Sequence, residues 1–129
     1  MQFVTILRRD QPAAVGHKIG CAHTTRTRLV GLLGRNTLSP GEGIWIHPSS
    51  GVHTFGMRFA IDVVGLDRGM RVVKLWQHVK PQRLTSISPR ISSVLELAAG
   101  EIESRSLTLG QQLYAVPATP EPVQDPDLR

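Results

Sequence analysis

The chain has 129 residues, 40% of them hydrophobic and 19% charged, which is enough for one globular core and too little for two. It has no apolar run of the roughly 18 residues that a membrane-spanning helix needs, and its single cysteine excludes an internal disulfide. Arg8 and Arg9 directly follow the apolar start, which is not the order of a secretory leader. We therefore predict a cytoplasmic domain with no membrane partner.

The net charge of +5 is unevenly distributed along the sequence. Residues 117–129, "PATPEPVQDPDLR", sum to −2 and leave +7 for the residues before them. Four prolines and no apolar periodicity predict that this segment is a disordered acidic tail, so the folded domain is 1–116. The basic residues are scattered instead of clustered on one stripe, and for this reason we do not expect a nucleic-acid partner.

The first predicted elements are a strand and a short helix. "FVTIL" at 3–7 has the β-branched and apolar character of a strand. "TTRTRLVGLLGR" predicts a helix that begins at Thr24 or Thr25 and ends near Gly34. Its buried stripe consists of three leucines at helical spacing, Leu29, Leu32 and Leu33.

The rest of the sequence is dominated by short β patterns separated by Gly, Pro and Ser. These predicted strands are 43–47, 52–59, 62–66, 70–79, 93–97 and 112–116. "LDRGM" predicts a hairpin turn with positive φ at Gly69, and "AAGEIESRSLTLG" a short helical turn with Ile102 and Leu107 facing inward and Gly110 closing it. The fold class is therefore α+β and mostly β: one small domain with a strongly bent antiparallel sheet or small barrel and one or two short helices.

The stretch "HTFGMRFAIDVVGLD" at 53–67 contains a break of phase. Its apolar residues occupy odd positions up to Ile61 and even positions from Val64 onward. Because a one-residue slip flips every side chain of a strand, we predict a bulge, bend or turn near 60–63 that contains Asp62. The Asp62 carboxylate either bonds nearby backbone amides or is aimed into a site.

Three motifs in order, "AHTTRTRLVGLLGR", "HTFGMRFAIDVVGLD" and "VLELAAG…LTLGQQL", resemble the bacterial and archaeal family called domain of unknown function 192. The resemblance implies a compact, mostly β domain with no established activity, often exported in other members. The chain departs from the family pattern at Gly56, where tryptophan is usual, and at Ala60, where proline is usual. Ser49 stands where some relatives have cysteine, which excludes a thiol mechanism there, and Gln111 replaces an aspartate.

Several polar residues are candidates for chemistry. His47 and His53 bracket a loop and could approach one metal, but no third ligand stands at fixed spacing, so we predict no metal site and no cofactor. Cys21 precedes the predicted helix and lacks a general base. Glu96, if its face of the strand is covered, needs a cation, and the available partners are Arg28, Arg35 and Arg58.

Two functions remain open. The first is a non-catalytic binding or accessory module with a shallow polar-rimmed pocket for a small ligand or a partner peptide; no catalytic residue is assigned. Its predicted binding residues are Arg28, Arg35, His53, Phe55, Met57, Asp62 and Glu96. The alternative is a small hydrolytic enzyme with His53 as general base and Asp62 or Glu96 orienting it. We expect a monomer or a weak homo-oligomer.

Overall fold

A computed structural model describes residues 2–24 and 35–119. Its elements are, in chain order, β1 (Phe3–Arg8), β2 (Gly16–Ala22), β3 (Glu42–Ile46), β4 (Ile61–Leu66), β5 (Val72–Val79), β6 (Ser93–Ala98), α1 (Glu101–Ser104) and β7 (Leu113–Pro117). The body of the first predicted helix, 25–34, and the tail residues 120–129 lie outside the described residues. No helix in the described part of the chain has the length and apolar content to span a membrane.

The strands form one mixed sheet in the order β5-β4-β6-β3-β2-β1-β7. All neighbours are antiparallel except β2 and β3, which run parallel. The prediction of a mostly β single domain is confirmed. The prediction of a strongly bent sheet or barrel is wrong, because β5 and β7 remain the edge strands of the sheet. Among the described residues an isolated bridge between Arg71 and Gln112 connects the residue before β5 with the residue before β7, and the two strands do not pair along their length.

The sheet stays open because both of its faces are covered. Every residue of β4 and β6 is buried, so these strands do not have the solvent-exposed outer face that a small barrel gives its strands. One face, the first core, packs Ile44, Val63 and Val94 against loop residues such as Val52 and Met57. The other face, the second core, packs a separate cluster of buried side chains, which includes Val64, Leu95, Leu97, Ile102 and Leu107.

Two loops cover part of the first core and are here named the loop ribbon, residues 50–57 and 82–88. They run antiparallel, with the Thr54 amide donating to the Arg83 carbonyl at 2.8 Å and the Thr85 amide donating to the Val52 carbonyl at 2.9 Å. The inner side chains Val52, Thr54, Met57 and Thr85 are buried, whereas the outer ones face solvent. The ribbon is therefore a separate layer with an apolar inside and a free outside.

Three local predictions need correction. The predicted strand 52–59 is absent, because the Met57 amide bonds the Thr54 carbonyl at 3.1 Å and Gly56 has φ 81°, which turns the chain. The sequence analysis did not predict β2, whose "GHKIGCA" mixes glycine and charge with few β-branched residues. The 67–71 hairpin is confirmed, but the positive φ falls on Met70 and not on Gly69.

Candidate functional site

Asp62 lies in β4 and is fully buried. Its Oδ1 accepts a hydrogen bond from the His78 amide at 2.9 Å, and its Oδ2 accepts from the amides of Gly100 at 3.1 Å and Ile102 at 2.9 Å. Two residues of β5 stand opposite Asp62, because Ile61 pairs with Val79 and Val63 with Trp76. The predicted break at Asp62 is wrong, because β4 pairs with β6 without interruption from Ile61 to Leu66 and is buried on both faces. The extra residue lies in β5, and the Asp62 carboxylate joins β5 to the start of α1.

Glu96 lies in β6 between Ile44 of β3 and Val63 of β4, and it is buried. Among the described residues its Oε2 has no hydrogen-bond partner. Burial in this apolar layer raises the pKa of the Glu96 carboxyl to about 7. The face that Glu96 shares with Val94 is therefore covered, which is the case in which the sequence analysis expected a cation.

Two of the three predicted arginine partners, Arg35 and Arg58, pair elsewhere. Arg35 is exposed and pairs with Glu42 at 3.3 Å, and Arg58 donates to the Asn36 side-chain oxygen at 2.8 Å. Arg28 lies outside the described residues. Asp62 and Glu96 also face opposite sides of the sheet, since Glu96 stands directly across from Val63, the residue after Asp62. The structure therefore does not gather the two carboxylates into one cluster.

The remaining predicted site residues divide between the two sides of the loop ribbon. His53 and Phe55 are exposed on its outer side, where their rings stack with centroids 5.6 Å apart. Met57 points inward and belongs to the first core. These three do not share the single face that the alternating pattern predicted, because the turn at Gly56 reverses the chain. Whether any of them contacts a ligand stays a prediction.

The structure also places the candidate metal and thiol residues. The described residues contain no group of three or more His, Cys, Asp or Glu side chains that could hold a metal ion. Cys21 is buried in β2, and burial raises the pKa of its thiol. A raised pKa disfavours the thiolate, so Cys21 has the environment of a small apolar residue.

Two buried charged residues, Arg8 and Glu101, were not among the residues predicted from the sequence. The Glu101 carboxylate is buried in the first turn of α1 and accepts from Arg105 Nε at 2.6 Å and from the Gly41 amide at 3.1 Å. The Arg105 guanidinium also donates to the Ala14 carbonyl at 2.7 Å. These bonds tie α1 to the loops before β2 and β3, so the group fixes the helix in place.

An open groove of about 550 Å³ lies at one end of the sheet, where β3 and β4 end and β6 begins. Its lining residues are His47, Pro48, Ser49, Ser50, Arg68, Ile91 and Ser92. The strand ends hold the walls together: the Ser49 amide donates to the Ser92 carbonyl at 2.9 Å, and the Ser92 amide donates to the Leu66 carbonyl at 2.8 Å. Arg68 comes two residues after Leu66 and is exposed at the hairpin.

The groove combines a cation, an imidazole and hydroxyls with two apolar side chains, Pro48 and Ile91. Arg68 has no ion-pair partner among residues 2–24 and 35–119, and no hydrogen bond links the hydroxyls of Ser50 and Ser92 to another described residue. A guanidinium with neighbouring hydroxyl donors is suited to carboxylate or phosphate oxygens. No carboxylate lines the groove, so an anion there meets no like charge.

Sequence reasoning considered His47 only as a metal ligand and did not find the groove. "PSSG" after His47 and "LDRGM" both indicate loops, but 17 residues of chain separate Ser50 from Arg68. They meet because β6 is inserted between β3 and β4 in the sheet. That strand order was the missing information.

The described residues define a class: a small, mostly β domain with an open mixed sheet and an open groove lined by polar side chains. The sequence pattern of the family DUF192, described as "Uncharacterized ACR", matches residues 5–115. The chain belongs to this family, as its sequence motifs predicted.

Two crystal structures are similar in fold. A protein of unknown function from Novosphingobium aromaticivorans DSM 12444 superposes with a TM-score of 0.75 at 17% identity, over 87% of this chain and 83% of that one. A proposed transcription regulator from Sinorhizobium meliloti 1021 superposes with a TM-score of 0.74 at 17% identity, over 88% of this chain and 92% of that one. No curated protein matches the sequence.

Proposed function

We propose that this chain is a non-catalytic binding module whose groove binds a small anionic or polar group, either a free ligand or a side chain of a partner peptide. The observation that carries the proposal is the unpaired Arg68 guanidinium beside His47 and three serines on an open groove. Small-ligand sites combine a few convergent polar groups with apolar lining, here Pro48 and Ile91. An open groove also leaves room for a ligand that is part of a longer chain.

The hydrolytic alternative has less support from the geometry. A histidine acts as general base when a carboxylate orients it inside a cleft. His53 is exposed, and no hydrogen bond to a carboxylate is found for it among the described residues. Asp62 already accepts three amide hydrogen bonds, and Glu96 is buried in the first core. These observations favour binding without catalysis.

A titration followed by ¹H–¹⁵N NMR tests the proposal with acetate and inorganic phosphate as probes. We expect saturable shifts of the Ser49, Ser50, Arg68 and Ser92 amides, because these residues line the groove. Arg68→Ala is expected to weaken the fitted affinity at least ten-fold, since the charge-assisted bond is lost. Arg83→Ala removes an equally exposed arginine outside the groove and is the matched control.

The control variant is expected to bind both probes as the wild type does. Shifts spread evenly over all surface arginines, or an unchanged affinity in Arg68→Ala, would contradict a groove site. Shifts centred on His53 and Asp62 that come with turnover of an ester substrate would support the hydrolytic alternative instead.

A further inference from the structure

The loop ribbon carries three exposed large apolar side chains. Phe55, Leu84 and Ile87 are 51%, 66% and 72% exposed, and they are three of the five large hydrophobic residues exposed in the described chain. His53 and Leu84 face each other across the ribbon as a bridge pair, and Phe55 stacks on His53. Single exposed apolar residues are ordinary, whereas a cluster of them on one element indicates a contact surface.

The ribbon holds these side chains on a fixed backbone. The buried Thr54 hydroxyl donates to the Lys80 carbonyl at 2.6 Å and accepts from the Arg83 amide at 2.9 Å. The buried Thr85 hydroxyl accepts from the Val52 amide at 2.8 Å. Because the backbone is held on its inner side, the outer side chains project without having to order a loop on contact.

The segments that form and flank the loop ribbon carry positive charge and no acidic residue. The segments 47–60 and 78–92 contain none of the ten acidic residues of the sequence. They contain four exposed cations, Arg58, Lys80, Arg83 and Arg90. None of these cations forms an ion pair within residues 2–24 and 35–119. These two segments thus have a net charge of +4, compared with +5 for the whole chain, and they also contain the three exposed apolar side chains.

We propose that the outer side of the loop ribbon docks on an anionic membrane surface. Basic side chains are attracted to anionic headgroups, and apolar side chains that project beside them enter the headgroup boundary. The ribbon and the groove share Ser50, but none of the apolar side chains and cations on which this inference rests lines the groove. The sequence-based expectation of no membrane partner came from the lack of a spanning segment, which surface docking does not need.

A bilayer suits these observations better than nucleic acid or a folded protein. Phosphates of DNA would pair with the four cations but would leave Phe55, Leu84 and Ile87 in water. A protein partner needs a complementary surface of about 800 Å² per side, and three separate side chains make up only part of that. A fluid bilayer accepts projecting side chains without a matching shape, and four nearby cations each contribute about a five-fold increase in affinity.

Vesicle sedimentation of the full chain tests the proposal. The probes are vesicles of palmitoyl-oleoyl phosphatidylglycerol and phosphatidylcholine at equal parts, and vesicles of phosphatidylcholine alone, each at 50 and 300 mM NaCl. We expect binding to the anionic vesicles at 50 mM that weakens at 300 mM, and no binding to the neutral ones. Phe55→Ala/Leu84→Ala/Ile87→Ala is expected to weaken binding at least ten-fold.

Two further variants separate the contributions. Lys80→Ala/Arg83→Ala is expected to weaken binding about twenty-five-fold, from about five-fold per charge. Leu109→Ala is the matched apolar control, because Leu109 is 65% exposed and lies outside the ribbon; it is expected to bind like the wild type. Circular dichroism verifies that each variant is folded, and NMR with anionic bicelles is expected to broaden the amides of residues 53–55 first.

Several results would overturn the proposal. Absence of sedimentation with anionic vesicles does so directly, and equal loss in Leu109→Ala would show that the ribbon is not the contact. Binding to a DNA duplex without vesicle binding would reassign the basic surface to nucleic acid. A dimer in light scattering that the triple alanine variant dissociates, again without vesicle binding, would make the ribbon an interface between copies of the chain.

Discussion

At the scale of single residues, the protonation of Glu96 controls how well the first core holds together. Burial raises the pKa of this carboxyl from 4.5 to about 7, since the charged form loses its hydration. In the unfolded chain the same group ionises near its ordinary value. Between these two values the folded protein keeps a proton that the unfolded protein releases. The contribution of this group to stability is therefore greatest below pH 4.5, falls as the pH rises towards 7, and does not fall further above it.

We expect Glu96→Gln to remove this part of the pH dependence. One pKa unit corresponds to about 1.4 kcal/mol, so wild-type protein should lose about 3 kcal/mol of unfolding free energy through this group between pH 5 and pH 8. Urea unfolding at both values measures the loss, and Glu103→Gln, which alters an exposed glutamate, is the control. Equal pH dependence in Glu96→Gln and wild type would show that Glu96 ionises normally in the folded state.

The three amide hydrogen bonds of the buried Asp62 carboxylate support the prediction that this carboxylate has a structural role. Asp62→Ala leaves three buried or part-buried amides without their acceptor, and it should lower the free energy of unfolding by about 1–3 kcal/mol. Asp67→Ala is the matched comparison, because Asp67 Oδ1 accepts two amides at an exposed turn where water can replace it; it should cost less. Urea unfolding measures both variants, and equal losses would contradict the role of burial.

At the scale of elements, the loop ribbon depends on Thr54. Thr54→Val keeps the shape of the side chain but removes the acceptor of the Arg83 amide and the donor to the Lys80 carbonyl. We expect hydrogen exchange to accelerate at the Arg83 and Thr85 amides, with a loss of about 1–3 kcal/mol in stability. Thr108→Val, at an exposed threonine, is the control. Unchanged exchange in Thr54→Val would mean that the backbone bonds alone hold the ribbon.

The elements also show which parts of the fold could be predicted from sequence. Runs such as "IDVVGL" and "SVLEL" are continuous and apolar because β4 and β6 are buried on both faces, and this pattern predicted both strands. The stretch 53–59 alternates like a strand, yet the Thr54 carbonyl and Gly56 make a turn there. The alternation did not report burial here either, because the apolar Phe55 is exposed whereas the polar Thr54 is buried.

The candidate site was harder to predict than the strands. Asp62 was singled out from a local change of pattern, and its burial and three amide hydrogen bonds depend on β5 and α1, which are distant in the sequence. The groove depends on β6 lying between β3 and β4, which brings Ser92, Ser49 and Arg68 together. Strand order is set by contacts between distant segments, and no local pattern of one sequence encodes it. The same reason explains why Asp62 and Glu96, both correctly placed in strands, face opposite sides.

At the scale of the whole molecule, charge is separated along the chain. The segments that form and flank the loop ribbon supply four cations and no acid, while Glu121, Asp125 and Asp127 follow the last strand. The cations of the segments that form and flank the ribbon are attracted to an anionic surface, whereas the acidic residues after the last strand are repelled by it. The last residues should therefore weaken such binding through charge alone, whichever positions they occupy.

Removal of residues 120–129 separates stability from charge. The β1–β7 ladder ends with the pair Val4 and Pro117, and the Ala118 amide donates to the Phe3 carbonyl at 3.2 Å, so the shortened chain keeps every described bond of β7. We expect an unchanged melting temperature by circular dichroism. The net charge rises from +5 to +7, because the removed residues carry −2, and affinity for phosphatidylglycerol vesicles should rise at 50 mM NaCl and approach that of the full chain at 300 mM. A melting temperature lower by several degrees, which corresponds to about 1 kcal/mol in a domain of this size, would show that residues 120–129 pack on the body and that the predicted domain boundary is wrong.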